Sequence, residues 1–169
     1  PSQQADASYG LTMTTTESIL VAEGSSARYI VPASAIANWN TTGFNDSAWS
    51  IGATGFGYEN APGANPNYTS LIATGLPSGT TSVYLRQAFN VADPSAFSSL
   101  SLNVRYDDGF VAYLNGVKVA EDNAPSNPAF NSTALGDHGD VNAVDLMPFD
   151  ISDHRNLLVA GNNVLAIKD

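Results

Sequence analysis

Asp137-His-Gly-Asp140 sets two carboxylates and an imidazole within four residues, the one ligand-like spacing in this 169-residue chain. Carboxylates and loop carbonyls suit calcium, which takes roughly six to eight oxygens. Zinc asks for about three or four nitrogen or sulfur ligands, and the chain offers His138 and His154 and no cysteine. Asp137 and Asp140, joined by Glu59 from a second Gly-rich loop, are therefore the expected ligands of a structural calcium ion. A solvated acidic loop is the competing reading. Asp107 and Asp108 are adjacent carboxylates. Hydrolysis of a glycosidic bond needs two carboxyls about 5–10 Å apart on either side of it. Neighbours on a strand point to opposite faces, and Asp108-Gly109 is accounted for as a turn, so no catalytic residue is assigned. Neither a Gly-x-Ser-x-Gly elbow nor a Gly-rich phosphate loop ahead of a helix occurs, which leaves nucleophilic triads and nucleotide chemistry without support.

The elements that must hold these residues are strands and turns. Arg105 to Ala120 contains two turn signals, Asp108-Gly109 and Asn115-Gly116. Both dipeptides readily take the positive φ of tight hairpins. Phe110–Leu114 between them reads as a strand, and Val117 and Val119 alternate with Lys118 on the next. Further strands are expected over 11–16, 18–22, 27–31, 82–91, 100–106, 144–151 (interrupted by Pro148) and 164–167. In the 82–91 strand, Val83, Leu85 and Phe89 oppose Arg86 and Gln87; Leu100, Leu102, Val104 and Tyr106 share one face of theirs. Ser152 is expected to cap one helical turn, and no segment carries sustained helical periodicity. Residues 58–68 and 123–142 are the long polar loops. Residues 1–8 are polar and expected to be mobile, with a single domain over 9–169.

Composition narrows the function. Six Lys and Arg stand against sixteen Asp and Glu, a net charge of −10. Phosphate binding needs basic clusters, so nucleic acid and anionic membrane surfaces are disfavoured as partners. No apolar run is long enough to cross a bilayer as a helix. Low Lys, abundant Asn, Ser, Thr and Asp and no Cys resemble secreted bacterial modules that live outside the cell without disulfides. The chain opens on Pro1 with no signal-type apolar stretch, and is expected to be a processed or excised piece of something longer.

Four motifs occur in series: Gly43-Phe-Asn-Asp-Ser-Ala-Trp49, Val83-Tyr-Leu-Arg-Gln-Ala-Phe-Asn-Val91, Tyr106-Asp-Asp-Gly-Phe-Val-Ala-Tyr-Leu-Asn-Gly116 and Leu158-Val-Ala-Gly-Asn-Asn-Val-Leu-Ala-Ile167. Over roughly residues 20–167 the chain resembles the galactose-binding-like β-sandwich modules of large secreted bacterial proteins and glycoside hydrolases. That resemblance implies an all-β fold: a jelly-roll β-sandwich of two antiparallel sheets, often with a structural calcium ion and a carbohydrate-binding rim of loops. Related modules continue past the Val-Leu-Ala-Ile strand into a Ser-Ser-Asp loop and a final strand. This sequence departs from them at Lys168-Asp169, which implies a last strand that is cut away or supplied by another chain.

With that likeness in view, the loop aromatics gain a role. Tyr58 and Tyr68 flank a Pro/Gly/Asn loop and are expected to stack on a pyranose face, with Asn65, Asn131, His138 and Asp140 meeting its hydroxyls. Trp49 is expected to pack inward with Phe44 while Asp46 orders their turn; Trp39 stays open between packing and stacking. Phe44, Trp49, Leu85, Leu102, Val104, Val111, Tyr113 and Leu165 are the expected core. The leading function is a non-catalytic carbohydrate-binding module, secreted, that targets linked catalytic or surface domains to a polysaccharide. The alternative is a structural or adhesive spacer without sugar binding. The glycan is expected at the rim of residues 58–68 and 131–142, away from the Asp107-Asp108 hairpin.

Overall fold

The computed structural model describes residues 16–169 except Pro62 and Ala64. The expected mobile segment 1–8 and the expected 11–16 strand up to residue 15 lie outside the described residues. Ten strands follow in order: β1 Ser26–Ile30, β2 Ser50–Ala53, β3 Phe56–Gly57, β4 Thr74–Gly75, β5 Tyr84–Val91, β6 Ser101–Val104, β7 Phe110–Leu114, β8 Val117–Asp122, β9 Met147–Asp150 and β10 Gly161–Lys168. Six of them form one antiparallel sheet in the order β2-β1-β5-β10-β7-β8. β6 and β9 make a second, antiparallel pair, and β3 and β4 a short parallel one. The fold is an all-β sandwich. Among the described residues, helix is confined to the 3-10 turns Pro94–Ala96 and Ser152–Leu157 and the single α-turn α1, Asp140–Ala143.

Both faces of the large sheet are covered, and that explains its composition. On one face Val91, Phe110, Ala112, Leu114 and Val119 pack against Leu102, Tyr106, Ile151 and Leu158, with Phe149 of β9 closing the layer. On the other, Tyr84, Val164 and Ala166 meet Trp39 and Trp49, with Phe44, Tyr113 and Phe130 around them. Irregular chain supplies this second cover, where a sandwich would ordinarily place a sheet. Trp39 stacks on Tyr84 with ring centroids 4.0 Å apart and meets Tyr113 edge-on at 5.7 Å. Trp49 tilts against Phe44 at 5.4 Å. Both tryptophans are buried, which resolves Trp39 as a packing residue.

Double coverage also corrects the period-two reading of β5. Arg86, expected to oppose the buried set, is itself 4% exposed; Gln87, expected there too, falls by strand alternation on the face of Val83, Leu85 and Phe89 and is 7% exposed. Arg86 donates to Asp46 Oδ2 at 2.8 Å, to Thr41 O at 2.9 Å and to Trp39 O, and lies over the Phe44 ring. Asp46 thereby does two jobs, since its carbonyl also accepts Trp49 N–H at 2.9 Å. A buried guanidinium is tolerated only when paired and hydrogen-bonded, and the 32–49 segment provides that shell. Gln87 Nε2 donates to Ser25 Oγ at 2.8 Å.

Among the expected core residues, Trp49, Leu102 and Val111 are buried, whereas Phe44, Leu85, Val104, Tyr113 and Leu165 are half-buried at the margins of the two clusters. Residues 18–22 form no strand. The 144–151 strand shortens to β9, where Pro148 pairs opposite Asn103; a proline fits there because β9 has no second neighbour to receive its missing N–H. The long loop expected over 123–142 runs into α1. Ser152 does not cap its helical turn: its Oγ accepts Leu100 N–H at 3.1 Å instead, because the chain arrives there beside the start of β6.

Turn chemistry behaves differently at the two hairpin signals. Asn115 and Gly116 take φ 52° and 93°, the paired positive angles of a two-residue hairpin. At Asp108-Gly109 the aspartate alone carries positive φ, 66°. Gly109 is required for another reason, since a Cβ there would lie 2.7 Å from Asn123 O.

Candidate functional site

Asn123 builds the rim. Its side-chain amide donates to Asp108 O at 2.7 Å and to Gly136 O at 2.6 Å. It thus ties the loop between β6 and β7 to the loop that leads into α1. His138 then settles on the same support: its backbone N–H donates to Asp108 Oδ1 at 3.1 Å, and its Nδ1 lies 3.2 Å from Tyr106 O. The imidazole stacks on the Tyr106 ring, centroids 4.2 Å apart and planes within 6°. Tyr106 is anchored in turn, its hydroxyl bonded to Asp122. Burial, reinforced by that bond, pushes the Tyr106 phenol up to about 12.

Carboxylates converge on this support. Burial raises Asp107 above the ordinary carboxylate range, and the charges of Asp108, Asp140 and Asp137 raise it further, while His138 opposes them. Asp169, whose backbone pairs with Val83 in both directions at 2.8 and 3.1 Å, is pushed up to about 7 by burial and then by Asp107. Tyr68 reaches the same group. Its hydroxyl is buried and faces Asp140 without closing a hydrogen bond to any partner. Burial, then the charges of Asp107, Asp140 and Glu59, holds that phenol above its usual range.

The structure therefore brings Glu59, Tyr68, Asp137, His138 and Asp140 to one rim, and adds Asp107, Asp108 and Asp169 to them. The hairpin that sequence reasoning set apart belongs to the rim, because Asn123 lashes it to residues 136–138. Asn131 is not brought there. It is exposed in the turn from Ala129 to Ser132, on the side of the sheet where Lys168 Nζ donates to Ser132 O at 2.9 Å. Tyr58 is half-buried and Asn65 exposed at opposite ends of the 59–67 loop.

Glu59 is an organiser of its own loop. Oε1 accepts Ala61 N–H at 2.7 Å and Oε2 accepts Tyr68 N–H at 3.1 Å, and these bonds hold its carboxyl below the usual range. Among the described residues no three of His, Cys, Asp and Glu close into a metal-binding group. The residues do not form a ready calcium cage. Sequence reasoning weighed Asp107 and Asp108 only as a catalytic pair and set their hairpin apart, and it singled out neither Asn123 nor Asp169. An Asn at positive φ, as Asn123 is at 48°, leaves no signature in an Asn-rich chain.

Neither a protein-family model nor a curated protein matches the sequence. Solved structures match the fold. A β-glucuronidase 2 from Bacteroides uniformis, covalently bound to a cyclophellitol-6-carboxylate aziridine, is similar over 86% of this chain and 14% of its own, at 14% identity and a TM-score of 0.51. A second Bacteroides uniformis β-glucuronidase structure gives the same identity, coverage and TM-score. A glycosyl hydrolase family 2 member from Bacteroides cellulosilyticus is similar over 86% of this chain and 16% of its own, at 15% identity and a TM-score of 0.48. At such identities the likeness is one of fold. The chain spans about one-seventh of the length of the β-glucuronidases it resembles.

Proposed function

We propose that this domain is a non-catalytic, galactose-binding-like carbohydrate-binding module, attached to a larger secreted enzyme or surface protein and directing it to a polysaccharide. The observation that carries the reading is the rim itself. Asn123 lashes two loops together on the sandwich and the Tyr68 hydroxyl faces Asp140 from a third, so that Tyr68, Asp137, His138 and Asp140 share one rim, with Tyr58 at the start of the loop that Tyr68 ends. Aromatic rings beside hydrogen-bonding groups are what recognition of a pyranose requires. A fold shared with a small part of glycosidase chains fits an attached domain, and such a module works by raising the effective concentration of its partner on the polymer. Calcium is proposed at the same rim as a weakly held, exposed ion, drawn by Asp137 and Asp140.

The test is affinity electrophoresis on soluble polysaccharides. Retardation of the wild type, lost in Tyr58→Ala and in Asp140→Asn with the fold intact, supports the rim. Retardation unchanged in both variants sinks it.

The second reading is a structural spacer. The burial of both tryptophans and of the Tyr68 hydroxyl favours it, because each removes an aromatic surface from solvent. A wild type retarded by no polysaccharide decides for it.

A further inference from the structure

A trough lined by none of the rim residues lies along the hairpin that Asn115-Gly116 closes. It has a volume of about 420 Å³ and is lined by Tyr113, Lys118 and the segment 126–129. That volume falls within the roughly 300–1,000 Å³ of small-molecule sites. We propose that it is a second carbohydrate subsite, one that takes a neutral pyranose unit. The proposal rests on the reading of the chain as a glycan binder, and it uses none of the rim residues.

Its floor is fixed. Tyr113 and Lys118 are cross-strand partners on β7 and β8, next to an irregularity in register at Ala112/Tyr113. Trp39 braces the Tyr113 ring edge-on from the core side. The wall is fixed too. Ala129 N–H donates to Ser132 Oγ at 2.8 Å, Ser132 N–H returns to Ala129 O at 3.2 Å, and Phe130 packs into the core between them. Lys168, itself buried, clamps Ser132 O from below. A preformed wall spares a ligand the cost of ordering it.

Charge selects the ligand. Of the six basic side chains, Arg28, Arg86, Arg105 and Arg155 donate to backbone carbonyls away from the trough, and Lys168 is committed to Ser132 O behind its wall. Lys118 instead pairs with Glu121, Nζ lying 2.8 Å from each carboxylate oxygen. Both side chains stay partly exposed, at 40% and 37%. The pair carries no net charge on a protein of net charge −10, so an anionic sugar gains nothing there. Lys118 lines the trough and offers a strong donor to a hydroxyl there, while Glu121 lies over its edge, in the adjoining depression lined by Lys118, Val119, Ala120 and His154, where it can accept from a second hydroxyl. The Tyr113 ring supplies the apolar contact.

An amide chemical-shift titration of the whole chain with cello-, xylo-, manno- and galacto-hexaose tests this. The expected result is a saturable shift at Tyr113, Lys118 and Asn127 with at least one of them. Lys118→Ala should weaken that site about tenfold, or about 1.4 kcal/mol, and Tyr58→Ala should leave it unchanged. Shifts confined to residues 58–68 and 136–140 overturn the trough and keep the rim. Shifts in the trough alone keep it and overturn the rim. No shift with any of the four overturns both.

Discussion

Asn115 Nδ2 donates to Asn163 Oδ1 at 2.8 Å, joining the β7–β8 turn to the start of β10 side chain to side chain. The Asn163 amide is saturated and the Asn115 amide uses both of its N–H donors. Asn115 also donates to Leu157 O at 2.8 Å and accepts Val164 N–H at 2.8 Å. Asn163, fully buried, donates to Val159 O and Gly161 O and accepts Val159 N–H. Five backbone groups are satisfied by two side chains, one of them, Asn163, fully buried. A half-broken polar network in a core is worse than none.

Asn163→Ala should therefore destabilise the domain by roughly 2–4 kcal/mol, since several buried groups lose partners at once. Asn115→Ala should cost less than the sum predicts once Asn163 is already gone, with a coupling of about 1–3 kcal/mol in a double-mutant cycle. Urea melts of the two single variants and the double variant measure it. Additive losses would show that the two amides act separately.

This pair marks how far sequence reasoning reaches. Asn115-Gly116 and Gly161-Asn-Asn are legible as turns, because positive φ and local hydrogen bonding are local properties. That the two turns bond each other depends on β10 lying beside β7 in the sheet, a pairing across some fifty residues that no periodicity encodes. Leu102 was legible because one face of its strand is apolar, whereas Phe110 was passed over for Val111 and Tyr113 because Phe110–Leu114 is apolar at every position and covered on both faces. Arg86 was not, because its apolar surroundings come from Trp39, Phe44 and Trp49 on an irregular segment. The rim followed the same rule: Asp137, His138 and Asp140 are neighbours in sequence, whereas Asp107 and Asp169 join them only through folding.

Trp49→Ala should cost roughly 3–5 kcal/mol, the usual range for deleting a large buried aromatic. Trp39→Ala should cost as much, because Trp39 stacks on Tyr84 and braces Tyr113. Denaturant midpoints decide it. A neutral Trp39 variant would return that ring to the surface and to the ligand-binding aromatics.

Tyr68→Phe should leave stability unchanged or raise it by up to about 1 kcal/mol. The Tyr68 hydroxyl is buried without a hydrogen-bond partner, and removing an unsatisfied polar group recovers its desolvation cost. A thermal melt of the variant against wild type reads the effect. A clear loss of stability would mean the hydroxyl bonds Asp140 after all.

Stability should fall as pH rises from about 4 to about 7. Unfolded Asp169 titrates near its ordinary 3.8, whereas burial and Asp107 push the folded carboxyl up to about 7. Between those values the folded state holds the extra proton, so raising the pH removes stability, and the loss levels off once both states are ionised. Asp107, raised for the same reasons, works in the same direction. Half-buried Glu59 and exposed Asp93 and Asp150 are lowered and act oppositely at the acid end. Urea midpoints across this range should therefore slope downward in wild type and flatten in Asp169→Asn. An equal slope in both would remove Asp169 from the account.

Calcium should bind weakly, and through Asp137 and Asp140 more than through Glu59. The rim gathers Asp107, Asp108, Asp137 and Asp140 on a protein of net charge −10, so a cation relieves repulsion wherever it settles. The carboxylates do not close into a cage among the described residues, which places the expected dissociation constant in the roughly 10⁻⁴–10⁻³ M range of weak extracellular sites. Glu59 already accepts two backbone N–H groups. Glu59→Gln should then loosen the 59–68 loop and lower the melting temperature while calorimetric heats with calcium persist. Asp140→Asn should remove those heats with little change in the melt measured without calcium. Magnesium at equal ionic strength separates coordination from screening, because it holds its hydration shell and demands tighter octahedral geometry. Equal effects from the two cations would mean that the rim is a screened acidic surface and that no specific calcium site exists there.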